Sequence, residues 1–471
     1  MEKQVKDITS RDIDFAKWYT DVVKKADLVD YSSVKGSMII RPYGYAIWEK
    51  MQQILDEKFK ETDHENLQMP LFIPESLLNV EKNHVNGFAP EVAWVTHGGD
   101  EKLEERMCVR PTSEVLFCEH YAKIIKSYRD LPKLYNQWCT IVRWEKTTKP
   151  FLRSREILWQ EGHTMHETEE EAREETLKML HIYEDFQKNY LAIPVITGKK
   201  TEKEKFAGAE ETYTIEAMMY DGVALQNGTS HYFGNKFAKA FNIEFVDKNN
   251  QLKTPYQTSW GVTTRMIGSL IMVHSDDRGL VLPPKIAPVQ VIIIPIGKED
   301  EILNLAKKYQ EELRKVKISC KIDNSNKTPG FKFSEAEVKG YPIRIEIGKR
   351  DMEQGKVTLV RRDTLEKKLV DYKEISSMVQ QLLDEIQNDM YLRALKRRDE
   401  MIYEVYDYEE MKENKPGFYK VNWCGDLDCE IKIKEELGLK SRCIIEEEKP
   451  DGLCICCRKE AKHKIYFGKQ Y

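Results

Sequence analysis

The sequence predicts a multidomain fold that combines α+β and α/β parts, and three observations carry that prediction. At 471 residues the chain exceeds what one hydrophobic core organises. Its patterning changes at LVLPPKIAP, where Pro283, Pro284 and Pro288 interrupt it. Six of ten cysteines, Cys424, Cys429, Cys443, Cys454, Cys456 and Cys457, crowd the C-terminal end. The expected domains are 1–285, 286–400 and 401–471.

The first stretch reads as strands with few helices between them. Thr168 with Glu171 makes a capping box, and Ala172, Thr176, Met179, Tyr183, Phe186 and Tyr190 recur at helical spacing, so one face of that helix is buried. Period-two segments at 134–144, 155–163, 212–217 and 223–226 predict strands, and their succession predicts an antiparallel sheet. After the prolines, strands VQVIIIPIG, ISCKID, IRIEIG and KVTLVRR alternate with a helix at 299–316 and a short one at FSEAEVKG. Continuous apolar strands alternating with helices predict a parallel or mixed sheet covered on both faces. LRALKRR, 392–398, is a basic helical patch. The remainder, with its Pro416-Gly417 turn, is too short for a large core and would gain from a metal staple.

Composition excludes several classes. Apolar residues are 41% and charged residues 32%, and no run approaches the roughly 20 apolar residues of a membrane helix. The start, MEKQVKDITSRD, has no apolar targeting core and is too acidic for a transit peptide, which predicts a cytoplasmic protein. A net charge of −5 argues against indiscriminate coating of nucleic acid, so any RNA contact is local. Cys108, Cys118, Cys139 and Cys320 lie singly and read as small buried thiols.

Two segments carry chemistry. If Arg143-Trp144-Glu145 and PFLRSREILWQEGH (150–163) are strands, side chains two apart share a face: Arg143 with Glu145, Arg153 with Arg155, and Trp159 with Glu161 and His163. An arginine fork on a rigid strand meets phosphate oxygens, so this face suits a nucleotide; a solvated strand of alternating charge is the plainer reading. Cys424-x4-Cys429 and Cys454-Ile-Cys456-Cys457 offer two thiolate pairs for a structural zinc. A CxxC knuckle uses Cys454 and Cys457, a CxC variant Cys454 and Cys456; Cys457 is favoured.

Arg143-Trp144-Glu145 resembles motif 2 of the class II aminoacyl-tRNA synthetases. GSMIIRPYGYAIWEK with LQMPLFIPESLL resembles motif 1, and TSWGVTTRMIGSLIMVHSDDRGLVLPP, with Arg265, resembles motif 3, though it keeps only Gly261 and Gly268 of the usual small residues. CVRPTSE, FLRSREILWQEGH, ALQNGTSH and TSWGVTTR are similar to prolyl-tRNA synthetases of the archaeal and eukaryotic-like architecture. That resemblance implies an antiparallel-sheet catalytic domain, an α/β anticodon-binding domain and a small α/β zinc-binding C-terminal domain, with motif 1 forming a homodimer. Residues 164–211 are too few for the large editing insertion of the bacterial type.

By the same resemblance, Thr112 and Glu114 bind the proline nitrogen, Trp159, Glu161 and His163 shape the pocket, and Thr229 and His231 complete it. Arg143 holds carboxylate and α-phosphate. Gln226 and Thr263 touch adenosine, Arg153 and Arg265 hold the β- and γ-phosphates, and Glu145 meets the adenine edge or Mg2+. Arg344, Glu346 and Arg350, with Arg361 and Arg362 nearby, meet the anticodon of tRNA(Pro), and Tyr471 folds back toward the catalytic domain. Taken singly, Glu114 reads equally as a helix-cap partner, His231 as a structural histidine and each basic residue as a solvated side chain. Two rivals remain from the sequence: a class II synthetase for another amino acid, and a noncatalytic RNA-binding relative of the same fold.

Overall fold

The computed structural model describes residues 7–84 and 91–471, so the first six residues of the N-terminal segment read above lie outside it. Helix α1 (Pro42–Lys60) starts on Pro42, whose missing N–H costs nothing in a first turn, and buries Ile47, Trp48, Met51, Leu55 and Phe59 along one face. Strands β1 (Lys133–Val142) and β2 (Glu156–His166) pair antiparallel, with Gln137 opposite Glu161 and Cys139 opposite Trp159. Helix α2 (Glu169–Asn189) begins at Thr168 with both halves of the expected capping box in place. β3 (Val195–Lys199), β4 (Glu211–Met218), β5 (Ala224–Gly234), β6 (Tyr256–Thr263) and helix α3 (Arg265–His274) complete the first body.

The spatial order β3-β4-β5-β6-β2-β1 is antiparallel throughout, as the succession of strands predicts. α2 and α3 cover one face, where Tyr183, Ile215, Ala217, Trp260 and Leu270 join the core. Gly162 permits that packing: a Cβ there would stand 2.1 Å from the Trp260 ring. The other face is left open for a site.

One expectation is corrected. β1 ends at Val142 and β2 starts at Glu156, so Arg143, Glu145, Arg153 and Arg155 stand on the connection rather than on strand faces. Pro150 supplies no ladder donor, and Phe151 takes a left-handed φ of 60°. Arg143 N–H still donates to the Arg155 carbonyl at 2.9 Å, which holds the two sides of the loop together.

The second body runs β7 (Val291–Ile296), α4 (Asp300–Lys315), β8 (Cys320–Ile322), α5 (Pro329–Lys339), β9 (Ile343–Gly348), β10 (Lys356–Arg361), β11 (Lys367–Asp371) and α6 (Ile375–Glu400). Its order is β8-β7-β9-β10-β11, parallel through the first three and antiparallel after, the mixed sheet that the apolar strands predict. Val291 and Ile293 pack with Ile302, Tyr309 and Val379 of α4 and α6, and Ile292 and Ile294 pack with Ala336 of α5. Arg362 anchors this body to the first, its Nη1 and Nη2 donating to Asp276 at 2.8 and 2.6 Å.

The C-terminal segment extends the first sheet sideways. An edge strand, Ile402–Glu404, precedes β12 (Phe418–Trp423), α7 (Leu427–Leu437), β13 (Lys440–Ile445) and β14 (His463–Gly468). β14 lies between β12 and β13, and β13 joins β3 where Ile444 faces Lys199. Tyr471 returns to the first body: its N–H donates to the Ala224 carbonyl at 3.1 Å and its hydroxyl to Asp221 at 2.5 Å. Among the described residues no helix is long and apolar enough to cross a membrane.

Candidate active site

The open sheet face holds a cavity of about 300 Å³. Trp159 and Glu161 of β2, Gln226, Thr229 and His231 of β5, Thr263 of β6, Arg265 at the start of α3, Arg143 beyond β1, and Thr112 and Glu114 all line it. Ten side chains expected at the site, spread over more than 150 positions, therefore converge there. His163 stands behind the wall, buried, with Nε2 3.0 Å from Glu161 and its ring 4.2 Å from Phe117. Glu145 and Arg153 stand apart from the cavity lining, 3.8 Å from each other.

Two buried carboxylates have opposite environments. Burial pushes Glu161 up, but His163, Ser113 and Gln137 outweigh it and hold the group at about 2. Ser113 Oγ donates at 2.5 Å and Gln137 Nε2 at 2.8 Å. Glu114 is raised, by burial and by the Glu161 charge, despite the Thr112 hydroxyl donating to it at 2.5 Å. One carboxylate is thus held ionised beside another whose ionisation burial and a like charge oppose, a division typical of sites that receive a cation or pass a proton. Burial pushes His231 down to about 3, so its imidazole is neutral; Nδ1 meets the Thr212 hydroxyl at 2.9 Å.

Cations gather at the other end. The Arg143 guanidinium lies 4.9 Å over the Trp159 ring while Nε donates to the Pro111 carbonyl at 3.1 Å, which fixes the group and leaves its outer nitrogens to a ligand. Arg265 Nη1 donates to the Gln226 carbonyl at 3.3 Å. Among the described residues the Trp159 indole N–H is buried without a hydrogen-bond partner. A fixed carboxylate, an aromatic slot and two guanidiniums suit a small zwitterion carrying its ammonium at one end and a phosphate-bearing partner at the other.

Sequence reasoning missed several residues. Glu204 and Phe206, from the loop between β3 and β4, line the cavity, and the Phe206 ring lies 4.9 Å from His231. TEKEKF reads as a solvated charged run, and only the pairing of β4 with β5 brings it over the site. Ser113 and Gln137 act on Glu161 from positions with no motif of their own.

In the second body, Arg344 and Glu346 are largely buried and paired, Nε to Oε1 at 2.9 Å, with Arg344 also 3.3 Å from Glu337 and 4.5 Å over the Phe333 ring. Arg350 is exposed. Arg361 pairs with Asp363 and Asp389, and Arg362 is committed to Asp276, so neither presents a free guanidinium.

Cys424, Cys429, Cys454 and Cys457 bring their sulfurs within 4.8 Å of one another, and Cys456 is outside the group. The Cys424 to Cys429 and Cys424 to Cys457 separations are both 3.7 Å. Zn–S bonds of ~2.3 Å in a tetrahedron give an edge of about 3.8 Å, so the donor set and its spacing fit zinc.

The chain matches the family models tRNA synthetase class II core domain (G, H, P, S and T) over 94–274, anticodon binding domain over 290–382, and prolyl-tRNA synthetase, C-terminal, over 407–471. It is 61% identical to proline--tRNA ligase 2 of Bacillus cereus (strain ATCC 10987 / NRS 248), covering all of both chains. It is also 61% identical to proline--tRNA ligase of Clostridium novyi, covering all of this chain and 99% of that one. Among solved structures, prolyl-tRNA synthetase from Cryptosporidium parvum complexed with halofuginone and AMPPNP matches with a TM-score of 0.94 at 42% identity, covering 99% of each chain. With its whole length aligned to such relatives and a cavity that gathers residues from CVRPTSE, FLRSREILWQEGH, ALQNGTSH and TSWGVTTR, the chain belongs to the proline--tRNA ligase family of class II synthetases.

Proposed function

We propose that this chain activates proline with ATP, giving prolyl-adenylate and pyrophosphate, and then transfers proline to the 3′ end of tRNA(Pro). The observation that carries this is the juxtaposition, in one cavity, of the Glu114–Glu161 pair with Arg143 and Arg265. Proline places its ammonium against Glu114 and Thr112 and its ring between Trp159, Phe206 and His231. An incoming ammonium offsets the charge on Glu114 that burial disfavours. Arg143 spans the carboxylate and the α-phosphate, Gln226 and Thr263 meet adenosine, and Arg265 and Arg153 take the outer phosphates. In-line attack by the proline carboxylate on the α-phosphorus needs no covalent enzyme intermediate; positioning and charge stabilisation do the work. Mg2+ bound with ATP would neutralise phosphate charge, and Glu145, outside the cavity lining, would meet the adenine edge or that ion. Exchange of pyrophosphate into ATP by the full chain, surveyed across the amino acids, is expected to peak with proline. Alanine should follow at high concentration, because one small apolar difference is worth only ~1–3 kcal/mol. Exchange with no amino acid would support the noncatalytic reading.

The four-cysteine site would hold a structural Zn2+ that cross-links the β12–α7 turn to the loop before β14. Cys429→Ser is expected to reduce bound zinc, read by metal analysis, and to lower the melting temperature by several degrees, with little change in the proline concentration for half-maximal exchange. Retained stoichiometric zinc would remove this assignment.

Arg344, Glu346 and Arg350 are assigned to the anticodon. The Arg344–Glu346 pair, backed by Phe333 and by Lys367 at 3.5 Å from Glu346, offers donor, acceptor and stacking surface together. A homodimer through motif 1 is supported by Ile39, Leu71 and Phe72, large apolar side chains between 41% and 53% exposed. Sedimentation at micromolar concentration is expected to give twice the 55.3 kDa chain mass, and a monomer would count against it. A cytoplasmic address is part of this reading, because a tRNA substrate is met where protein is made.

A further inference from the structure

β4 carries more onto the cavity face than the site uses. Thr212 pairs with His231, Thr214 with Thr229, and, after a bulge, Glu216 with Gln226, and all three β5 partners line the cavity. Tyr213, Ile215 and Ala217 fill the core behind. Glu216 therefore faces the nucleotide side, yet it is completely buried and absent from the cavity wall. It is covered by Lys200, just past β3, and by Arg442 of β13, which is 1% exposed. Lys200 Nζ lies 2.6 Å from Oε1, and the Thr214 hydroxyl donates to the same oxygen at 2.9 Å. Arg442 Nη1 stands 3.5 Å from Oε2, while its Nε donates to the Lys440 carbonyl at 3.3 Å. Among the described residues, Oε2 of Glu216 and Nη2 of Arg442 have no hydrogen-bond partner. Arg442 therefore acts on Glu216 through charge more than through a formed bond.

Arg265 is tied to the same strand pair. Its one described guanidinium bond is to the carbonyl of Gln226, the residue directly opposite Glu216. Burial and the Arg143 and Arg153 charges disfavour the Arg265 cation, and the Glu216 and Glu145 charges oppose that. A buried carboxylate short of counter-charge draws the nearest mobile cation, because the low dielectric strengthens the pull.

We propose that Arg442, contributed by the C-terminal segment, is a positioning residue for the ATP site: with Lys200 it satisfies Glu216, which leaves the Arg265 guanidinium available to the nucleotide phosphates. This rests on the reading above that Arg265 meets those phosphates. It gives the lateral continuation of the sheet through β13 a part in catalysis, although no residue of β13 lines the cavity.

The test is proline-dependent pyrophosphate exchange by the full-length chain, with ATP and proline titrated separately. Arg442→Gln is expected to raise KM for ATP about five- to tenfold, with KM for proline and kcat within twofold. Arg442→Lys, which keeps the charge, should stay within twofold of wild type throughout. Glu216→Gln added to Arg442→Gln should return KM for ATP toward the wild-type value, since the pull on Arg265 is gone. An unchanged KM for ATP in Arg442→Gln, or an equal rise in Arg442→Lys, overturns the proposal. Should Arg442→Gln fail to fold, Glu216→Gln alone decides: KM for ATP must fall or hold, and a rise overturns it. Arg265→Ala runs alongside as the reference. If that variant keeps its KM for ATP, the reading of Arg265 falls and takes this inference with it; if Arg265→Ala is impaired while Arg442→Gln is inert, this inference alone falls.

Discussion

Arg143→Ala is expected to lower proline-dependent pyrophosphate exchange by about 10²- to 10³-fold, the usual cost of removing one preorganised donor from developing transition-state charge. The side chain is held on two sides, by the Pro111 carbonyl and by the Trp159 ring, so little reorganisation is needed when charge builds on the α-phosphate. Its removal should lower kcat more than it raises KM for ATP, because the contact strengthens as the pentavalent state forms. Arg143→Lys should recover only part of the loss, since an ammonium neither stacks as flatly nor donates as a fork. Protein stability should change little: the guanidinium makes no ion pair among the described residues. Exchange within tenfold of wild type in Arg143→Ala would remove the residue from the chemical step and favour a site whose work is binding alone.

What was legible in the sequence divides by the range of the cause. The capping box at Thr168 and Glu171 is local, and both of its hydrogen bonds form. The apolar run of β7 is local too, and burial on both faces follows from it. Trp159, Glu161 and His163 alternate on β2, so their common face was readable, but not that His163 stands behind Glu161 rather than beside the ligand. Charge alternates around Arg143 and Arg153 as on a strand, but pairing stops at Val142 and Glu156, and the Trp144 N–H donates to the Glu91 carbonyl instead of across the ladder. Least legible were contacts set by pairing between distant segments. Nothing in KSRCII announces that β13 extends the catalytic sheet or that Arg442 lies over Glu216, because both follow from a register fixed more than 200 positions away. The choice between Cys456 and Cys457 was open for the same reason: spacing allows both, and only the turn they close brings the Cys457 sulfur to 3.7 Å from Cys424.

Glu161→Gln should separate the site's electrostatics from its packing. The carboxylate is 2% exposed and accepts from Ser113, Gln137 and His163, so it is a fixed negative charge in a wall that also contains the raised carboxyl of Glu114. The substitution conserves shape and removes the charge. With less negative potential around the ammonium, kcat/KM for proline is expected to fall about 10- to 100-fold, the range for losing a hydrogen bond or close contact with a charged partner. Acid titration gives an independent readout. The folded-state value, about 2, is below the ordinary 4.5, so the ionised group contributes stability that is fully present above about pH 4.5 and is lost as pH falls toward 2. The wild-type melting temperature should therefore decline more steeply across that window than that of Glu161→Gln. Losing the acid-dependent stability while keeping kcat/KM for proline would reduce Glu161 to a structural anchor for Ser113 and leave Glu114 as the sole carboxylate for the ammonium. Losing both together is the expected result, because one buried charge, held by three donors before any ligand arrives, orders the wall and attracts the cation that enters it.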